Sequence, residues 1–146
     1  MRRLRISGIH HITVLCKDAR RSVDFYRNLL GMRALKQTTN LDDPGATHLF
    51  FGDEEGRPGT LITCLEYPKL KQGEVGVGST HHFALAVDSE EELAAWRSYL
   101  ASRGIPCSEV LDRSFCKSVY LRDPDGHIVE LATRGPGVTV DEAPGA

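Results

Sequence analysis

The segment Gly8-Ile-His-His-Ile-Thr-Val-Leu15 has a counterpart later in the chain, Ser79-Thr-His-His-Phe-Ala-Leu-Ala-Val87. Both segments are apolar, have the length of a β-strand and carry a His-His pair near their start. Two segments with the same unusual feature indicate an internal repeat, which decides how the rest of the chain is interpreted. The sequence therefore predicts two copies of one structural unit.

A helix is predicted after each of these strands. Asp18 is a candidate N-cap for the first helix, and Ser89 with Glu92 forms a capping box for the second. Gly31 and Gly104 are expected to end them. The apolar stripes of the two helices are Val23, Tyr26 and Leu30 in the first and Leu93, Trp96 and Leu100 in the second.

Short apolar runs separated by turns follow each helix, so the order strand, helix and about three strands occurs twice. This predicts an α+β fold with modules at about 8–67 and 79–134 and a linker at 68–78. We expect a single domain over 1–134 and a flexible tail at 135–146, because the end of the chain is rich in Gly and Pro.

Composition narrows the classes of function. The 146 residues are 40% hydrophobic and carry a net charge of -2 without a long run of either sign, so no nucleic-acid or membrane partner is expected. No stretch approaches the roughly 20 apolar residues that span a bilayer. We therefore predict a soluble cytoplasmic protein.

Three residues form a candidate metal site. Side chains alternate along a strand, and a pseudo-twofold repeat brings equivalent positions together, so we expect His11 and His82 to meet. Glu130 lies between apolar residues of the last strand, where an unpaired buried carboxylate would cost several kcal/mol. Two imidazoles and a carboxylate form the facial triad of non-haem Fe(II) enzymes, although the same donors suit Mn or Zn.

The first copy lacks an obvious equivalent of Glu130. The equivalent position falls near Thr60 or Thr63, and neither is a good ligand. Three protein ligands would leave coordination positions for a bidentate substrate and dioxygen. Glu66 lies nearby and stays open as an alternative ligand.

Simpler explanations apply to other polar residues. A lone His on a strand is more often an ordinary polar residue than a ligand, and only the repeated pairs favour a metal. His127 follows a turn and is expected to be exposed. Asp123 and Asp125 belong to an Asp-Pro-Asp-Gly turn, which accounts for them without a metal.

The His-His strands, a helix with Phe-Tyr and Leu-Gly-Met, and the closing Asp-Pro-Asp-Gly-His-x-x-Glu resemble the vicinal-oxygen-chelate superfamily over about residues 8 to 134. This superfamily includes glyoxalase I, fosfomycin-resistance thiol transferases, methylmalonyl-CoA epimerases and extradiol dioxygenases. The resemblance implies two βαβββ modules that form a cup-shaped mixed sheet around a metal.

Further motifs resemble hydroquinone-type ring-cleaving dioxygenases. They include Asp42-Asp43-Pro44-Gly45 in the first copy and Asp112-Arg113-Ser114-Phe115 in the second. By position, the resemblance implies iron bound by His11, His82 and Glu130. It places His10, Thr13, His81, Arg113 and Tyr120 around the metal as catalytic residues.

The implied reaction is ring opening of a hydroquinone- or catechol-like substrate by O₂. His10, His81 and Tyr120 are candidates for proton transfer, and Arg113 for orienting an oxyanion. Strict alternation places His10 on the opposite face from His11 unless the pair lies at the start of the strand. Fe(II) is the expected cofactor; Mn, Zn and Ni stay open.

Two other classes stay open as alternatives. One is a glyoxalase-, epimerase- or thiol-transferase-like metalloenzyme, and the other is a small-molecule-binding resistance protein that needs no metal. The dioxygenases of this type are about twice as long as this chain. Since single-domain members of the superfamily commonly form dimers, a homodimer is expected to supply the remaining walls of the pocket.

Overall fold

The computed structural model describes residues 2–138, and it divides into two compact units, Met1–Gln72 and Gly73–Ala146. The division falls within the segment 68–78 that was predicted as a linker. Each unit contains one copy of the repeat. Part of the predicted tail, residues 139–146, lies outside the described residues.

The first unit is a four-stranded mixed sheet with one helix. Strand β1 pairs in parallel with β4, and β3 pairs antiparallel with both β4 and β2, which gives the order β1-β4-β3-β2. The helix α1 continues directly into a π-helix. The elements are β1 (His11–Cys16), α1 (Ala19–Val23), the π-helix (Asp24–Leu29), β2 (Arg33–Thr39), β3 (Thr47–Gly52) and β4 (Leu61–Glu66).

The second unit repeats this topology with the order β5-β8-β7-β6, in which β5 is parallel to β8. Its elements are β5 (Phe83–Val87), α2 (Glu90–Ser102), β6 (Leu111–Asp112), β7 (Lys117–Arg122) and β8 (Ile128–Thr133). The prediction of two βαβββ modules in an α+β fold is confirmed.

Each sheet buries the face that packs on its helix. In the first unit Tyr26 and Phe51 are fully buried with ring centroids 5.4 Å apart. In the second, Leu93 and Leu100 of α2 are fully buried, as is Val119 of β7. Because strand side chains alternate, the polar residues of the same strands fall on the opposite face, here called the polar face of each module.

The two predicted N-caps, Asp18 and Ser89, are found in the structure. The Asp18 side chain accepts a hydrogen bond from the Arg20 amide, and the Ser89 hydroxyl accepts one from the Glu92 amide at 3.0 Å. Within residues 2–138, no helix is long and apolar enough to cross a membrane.

Two features were not predicted. Strand β2 is mostly polar (Arg33-Ala-Leu-Lys-Gln-Thr-Thr39), so its sequence does not show the apolar run that marks a buried strand. The first helix shifts to π-helical geometry at Asp24, which adds a residue to the turn and buries both Phe25 and Tyr26.

Candidate metal centre

The centre of the candidate site is the pair His82 and Glu130 in the second unit. Glu130 lies in the middle of β8, where it is paired with Ala84 on one side and Tyr120 on the other. Its Oε1 is 2.9 Å from Nε2 of His82, the residue before β5. The Glu130 side chain is 7% exposed, so the burial predicted from its apolar neighbours is found.

The second oxygen of Glu130 has partners of its own. The Ser118 hydroxyl donates a 2.5 Å hydrogen bond to Oε2, and Sγ of Cys116 lies 3.9 Å from the same atom. Ser118 and Cys116 are both buried. The two oxygens of this carboxylate therefore have different surroundings.

The His82–Glu130 geometry suits a metal ion. Two ligand atoms about 2.1 Å from one ion and at right angles to each other are about 3 Å apart, close to the separation of Oε1 and Nε2. A buried carboxylate also requires a positive partner. These two residues could therefore hold a divalent cation with adjacent ligand positions.

His81 holds the other ring nitrogen of His82. The Nδ1 atoms of the two rings are 2.8 Å apart, which is a hydrogen bond with one proton between them. A ligating His usually has its second nitrogen engaged in this way, and this fixes which nitrogen faces the metal. His82 therefore presents Nε2 towards Glu130.

Arg113 and Tyr120 complete the surroundings of His82. The rings of Tyr120 and His82 are edge-to-face with centroids 5.9 Å apart. The Arg113 Nε donates to the Tyr120 hydroxyl oxygen at 3.2 Å, and its guanidinium carbon is 5.2 Å from the ring centroid. The second unit thus gathers His81, His82, Arg113, Tyr120 and Glu130.

The first unit has a corresponding but neutral cluster on its polar face. Register places Thr63 opposite Thr13, as Glu130 is opposite Ala84, so Thr63 is the equivalent of Glu130. The Thr63 hydroxyl lies 2.7 Å from the Thr13 hydroxyl and 3.1 Å from Nε2 of His48. Thr60, the other candidate, belongs to a turn in which its hydroxyl donates to the Arg57 carbonyl.

His10 and His11 repeat the arrangement of His81 and His82, with Nδ1 atoms 3.1 Å apart. Strand β1 begins at His11, so His10 lies just before the strand and strict alternation does not apply to it. The pKa of His48 is below its ordinary value, mainly because of burial and further because His11 and Lys36 are nearby.

Glu66 does not share the polar face of Thr63. It lies an odd number of residues away on β4, and its Oε2 accepts a 2.6 Å hydrogen bond from the Ala19 amide at the start of α1. The structure thus gives Glu66 a role at the helix and no place beside Thr63.

A second group of potential ligands lies in the turn before β8. One donor atom from each of Asp123, Asp125 and His127 lies within 4.8 Å of the others. Asp123 Oδ1 already accepts hydrogen bonds from the amides of Asp125 and His127, as expected for the turn. His127 is partly buried and was expected to be exposed.

Sequence reasoning gave no site role to Ser118, Cys116 and His48. Ser118 and His48 occupy equivalent positions on β7 and β3. Ser118 is a diagonal neighbour of Glu130, and His48 is a diagonal neighbour of Thr63. Because side chains alternate along a strand, Ser118 lies on the same face of β7 as Tyr120. Its contact with Glu130, however, depends on the pairing of β7 with β8. That register could not be obtained from sequence alone.

The family model of the "Glyoxalase/Bleomycin resistance protein/Dioxygenase superfamily" matches residues 8–131. The chain belongs to this superfamily. The resemblance seen in the His-His strands and the closing turn is confirmed.

Curated relatives fall into two groups. The chain is 37% identical over 130 residues to "Putative ring-cleaving dioxygenase MhqO" of Bacillus subtilis, covering 89% of this chain and 41% of the relative. It is 35% identical to "Chlorohydroquinone/hydroquinone 1,2-dioxygenase" of Sphingobium indicum, covering 83% and 38%. "Metallothiol transferase FosB" of Staphylococcus epidermidis is 29% identical, with 88% and 84% covered.

The solved structure of a putative dioxygenase from Bacillus subtilis superposes with a TM-score of 0.81 at 37% identity. The match covers 88% of this chain and 41% of that one. The chain therefore spans less than half the length of the dioxygenase relatives it matches.

Proposed function

We propose that this protein is an Fe(II)-dependent ring-cleaving dioxygenase that opens a hydroquinone- or catechol-like aromatic with O₂. The observation that carries the proposal is the buried Glu130 beside His82, surrounded by His81, Arg113 and Tyr120. The similarity to named hydroquinone and ring-cleaving dioxygenases supports the choice of reaction.

The metal ligands proposed are His82 and Glu130, with His11 as the third ligand predicted from the repeat. Fe(II) bound by such a facial triad supplies Lewis acidity towards a phenol and redox chemistry towards O₂. Mn, Zn and Ni remain alternative metals, because the same donors suit them.

Tyr120 and Arg113 would act on the oxygen atoms of the substrate. Because Arg113 donates to the Tyr120 oxygen, the Tyr120 proton is left to point elsewhere. We propose that Tyr120 donates this proton in a hydrogen bond to an oxygen of the reacting substrate. Arg113, charged at every working pH, would hold both Tyr120 and an oxyanion in place.

His81 and His10 would serve their neighbouring ligands. Each shares a proton with the next histidine through Nδ1, so each can fix that ring and take up or return a proton at that atom. Thr13 is held by Thr63 on the polar face of the first module. We propose that Thr13 contributes a hydroxyl to the substrate pocket.

The proposed reaction balances without an added reductant. One carbon–carbon bond of the ring breaks, and both atoms of O₂ are retained in the product. Hydroquinone would thus give a hydroxymuconic semialdehyde, which contains all the atoms of the two reactants.

We also propose a homodimer, because single-domain members of the superfamily commonly form dimers. A second copy could add walls to the substrate pocket. Native mass spectrometry tests this directly: a dimer is expected, and a monomer at micromolar concentration would contradict it.

Anaerobic reconstitution with Fe(II) tests the activity. O₂ uptake should follow addition of hydroquinone or catechol, with one O₂ consumed per ring and both atoms of ¹⁸O₂ found in the product. Glu130→Gln should abolish uptake. No uptake with a panel of dihydroxybenzenes at full iron loading would contradict the proposal.

A thiol transferase is the second candidate, because the alignment with FosB covers 88% of this chain and 84% of that protein. The measurement is loss of free thiol on incubation with cysteine, fosfomycin and Mn(II). Thiol consumption without any O₂ uptake would favour this function over ring cleavage.

A further inference from the structure

We propose that Ser118 is a positioning residue that holds one oxygen of Glu130 in a hydrogen bond, so that only the other oxygen is available to the metal. The inference rests on the proposed role of Glu130 as a ligand. It concerns how that ligand is held, which the superfamily assignment does not specify.

The contacts of Glu130 divide cleanly between its two oxygens. Oε1 lies 2.9 Å from Nε2 of His82, on the side where the metal is proposed. Oε2 accepts the 2.5 Å hydrogen bond from Ser118, which is fully buried. A hydrogen bond this short to a carboxylate is of the charge-assisted, stronger kind.

The direction of the hydrogen bond between Ser118 and Glu130 is determined. A hydroxyl has one proton, and the ionised carboxylate can only accept, so Ser118 must donate to Glu130. Cys116 Sγ lies 3.4 Å from the Ser118 oxygen and donates its thiol proton to Oε2 of Glu130 over 3.9 Å. Two buried groups, Ser118 and Cys116, therefore face the same oxygen of Glu130.

Strand pairing explains why Ser118 reaches Glu130. On β7 and β8, Tyr120 is directly opposite Glu130 and Ser118 is opposite Ala132. Ser118 is therefore the diagonal neighbour of Glu130 on the same face, and the small Ala132 leaves room between them. Both residues are built into paired strands, so the contact does not depend on a loop.

One-oxygen ligation matters for the proposed chemistry. A carboxylate that binds through both oxygens uses two coordination positions, whereas a facial triad needs three open ones for a bidentate substrate and O₂. With Oε2 held by Ser118, Glu130 uses a single position. Without Ser118, Oε2 would either turn towards the ion or stay buried without its strong donor.

The first test is Mn(II) affinity, measured by the electron paramagnetic resonance signal of free Mn(II) during titration of the full chain. Ser118→Ala should weaken binding about 10-fold, the lower end of the effect of removing a partner of a metal ligand. Ser118→Thr restores a hydroxyl and should recover most of the affinity. Ser22→Ala removes another buried hydroxyl, in α1, and should leave the affinity unchanged.

Infrared spectroscopy distinguishes positioning from a general structural role. The splitting between the two carboxylate stretches is larger for one-oxygen than for two-oxygen ligation, and Glu130→Gln identifies the band. Addition of Mn(II) should give the large splitting in the unaltered protein and in Ser118→Thr. In Ser118→Ala the splitting should shrink.

Unchanged affinity and unchanged splitting in a folded Ser118→Ala would overturn the inference. If that variant does not fold, Ser118→Cys is measured instead: its weaker donor should still lower the affinity, and an unchanged value would overturn the inference. If Glu130→Gln loses Mn(II) binding while Ser118→Ala keeps it, the inference about Ser118 fails but the proposed metal site stands. Full binding by Glu130→Gln would contradict the proposed site itself.

Discussion

The two modules have the same architecture but different chemistry at one equivalent position. Both begin with a histidine pair joined through Nδ1, and both place a parallel strand beside the first. At the centre of that strand the first module has Thr63 and the second has Glu130. The fold thus keeps its frame while the residue at the polar face changes from neutral to charged.

The neighbours of these two residues differ accordingly. Thr63 is buried and contacts Thr13 and His48, which satisfy a neutral hydroxyl without a cation. Glu130 is also buried, and its partners are the Ser118 hydroxyl at Oε2 and Nε2 of His82 at Oε1. Of these two equivalent residues, only Glu130 can supply a carboxylate ligand to the proposed metal.

The largest expected effect is on metal affinity. Glu130→Gln should weaken Mn(II) binding more than about 100-fold. Removing a residue that hydrogen-bonds to a metal ligand lowers affinity about 10–100-fold, and removing the ligand itself should lower it further. Thr63→Val, the matched change in the first module, should alter it less than about 3-fold. Equilibrium dialysis measures both; similar losses in the two variants would break the contrast between the modules.

Much of this contrast was accessible from sequence. The His-His repeat and the apolar neighbours of Glu130 were sufficient to predict two modules and a buried carboxylate. Thr63 was named as one of two equivalents of Glu130, and only the strand register separated it from Thr60. The choice between Thr60 and Thr63 depended on the length of the preceding turn, and hydrophobic periodicity does not give the length of a turn.

The partners of these residues could not be predicted. Contacts such as Ser118 with Glu130 cross between strands and depend on pairing, while the sequence reports only which face a side chain takes. Strand β2 was missed because its exposed position does not demand apolar residues. The π-helix depends on how Phe25 and Tyr26 pack in the core, which no local pattern reveals.

The second effect concerns turnover. Tyr120→Phe removes the proposed donor and should lower kcat about 100-fold, as expected for loss of a group that donates to the reacting oxygen, with metal affinity retained. The register-equivalent residue of the first module is Phe50. Phe50→Tyr should change kcat less than about 2-fold, and steady-state O₂ uptake at saturating substrate would show the difference. An unaltered kcat in Tyr120→Phe would remove Tyr120 from the mechanism.

The third effect is on stability. Thr63→Val should lower the free energy of unfolding by about 1 kcal/mol, because the contacts of Thr63 to Thr13 and His48 are lost. Urea denaturation of the metal-free protein measures it. Added Mn(II) should raise the Tm of Thr63→Val as much as that of the unaltered protein, since the proposed ligands His82 and Glu130 lie in the other module. A smaller rise would place Thr63 at the metal.

The smallest expected effect is on the pH dependence of Tm, and it concerns a turn that occurs in both modules. Asp53 accepts hydrogen bonds from the amides of Glu55 and Arg57, as Asp123 does from Asp125 and His127. Hydrogen bonds from the Arg57 backbone and side chain lower the pKa of Asp53 to about 2.

Because the pKa of Asp53 is lower in the folded than in the unfolded chain, its contribution to stability is present above the unfolded pKa of about 3.8 and is lost as the pH falls towards 2. The Tm of the unaltered protein should exceed that of Asp53→Asn slightly at pH 6, and the gap should close below pH 4. A gap that is constant from pH 6 to 2 would contradict this.

The location of the metal tests the difference between the modules most directly. An anomalous diffraction map of Mn(II)-loaded crystals should show one strong peak about 2.1 Å from Nε2 of His82 and Oε1 of Glu130. Glu130 Oε2 should remain hydrogen-bonded to Ser118. A peak within the Asp123–Asp125–His127 turn, with none at Glu130, would contradict the account.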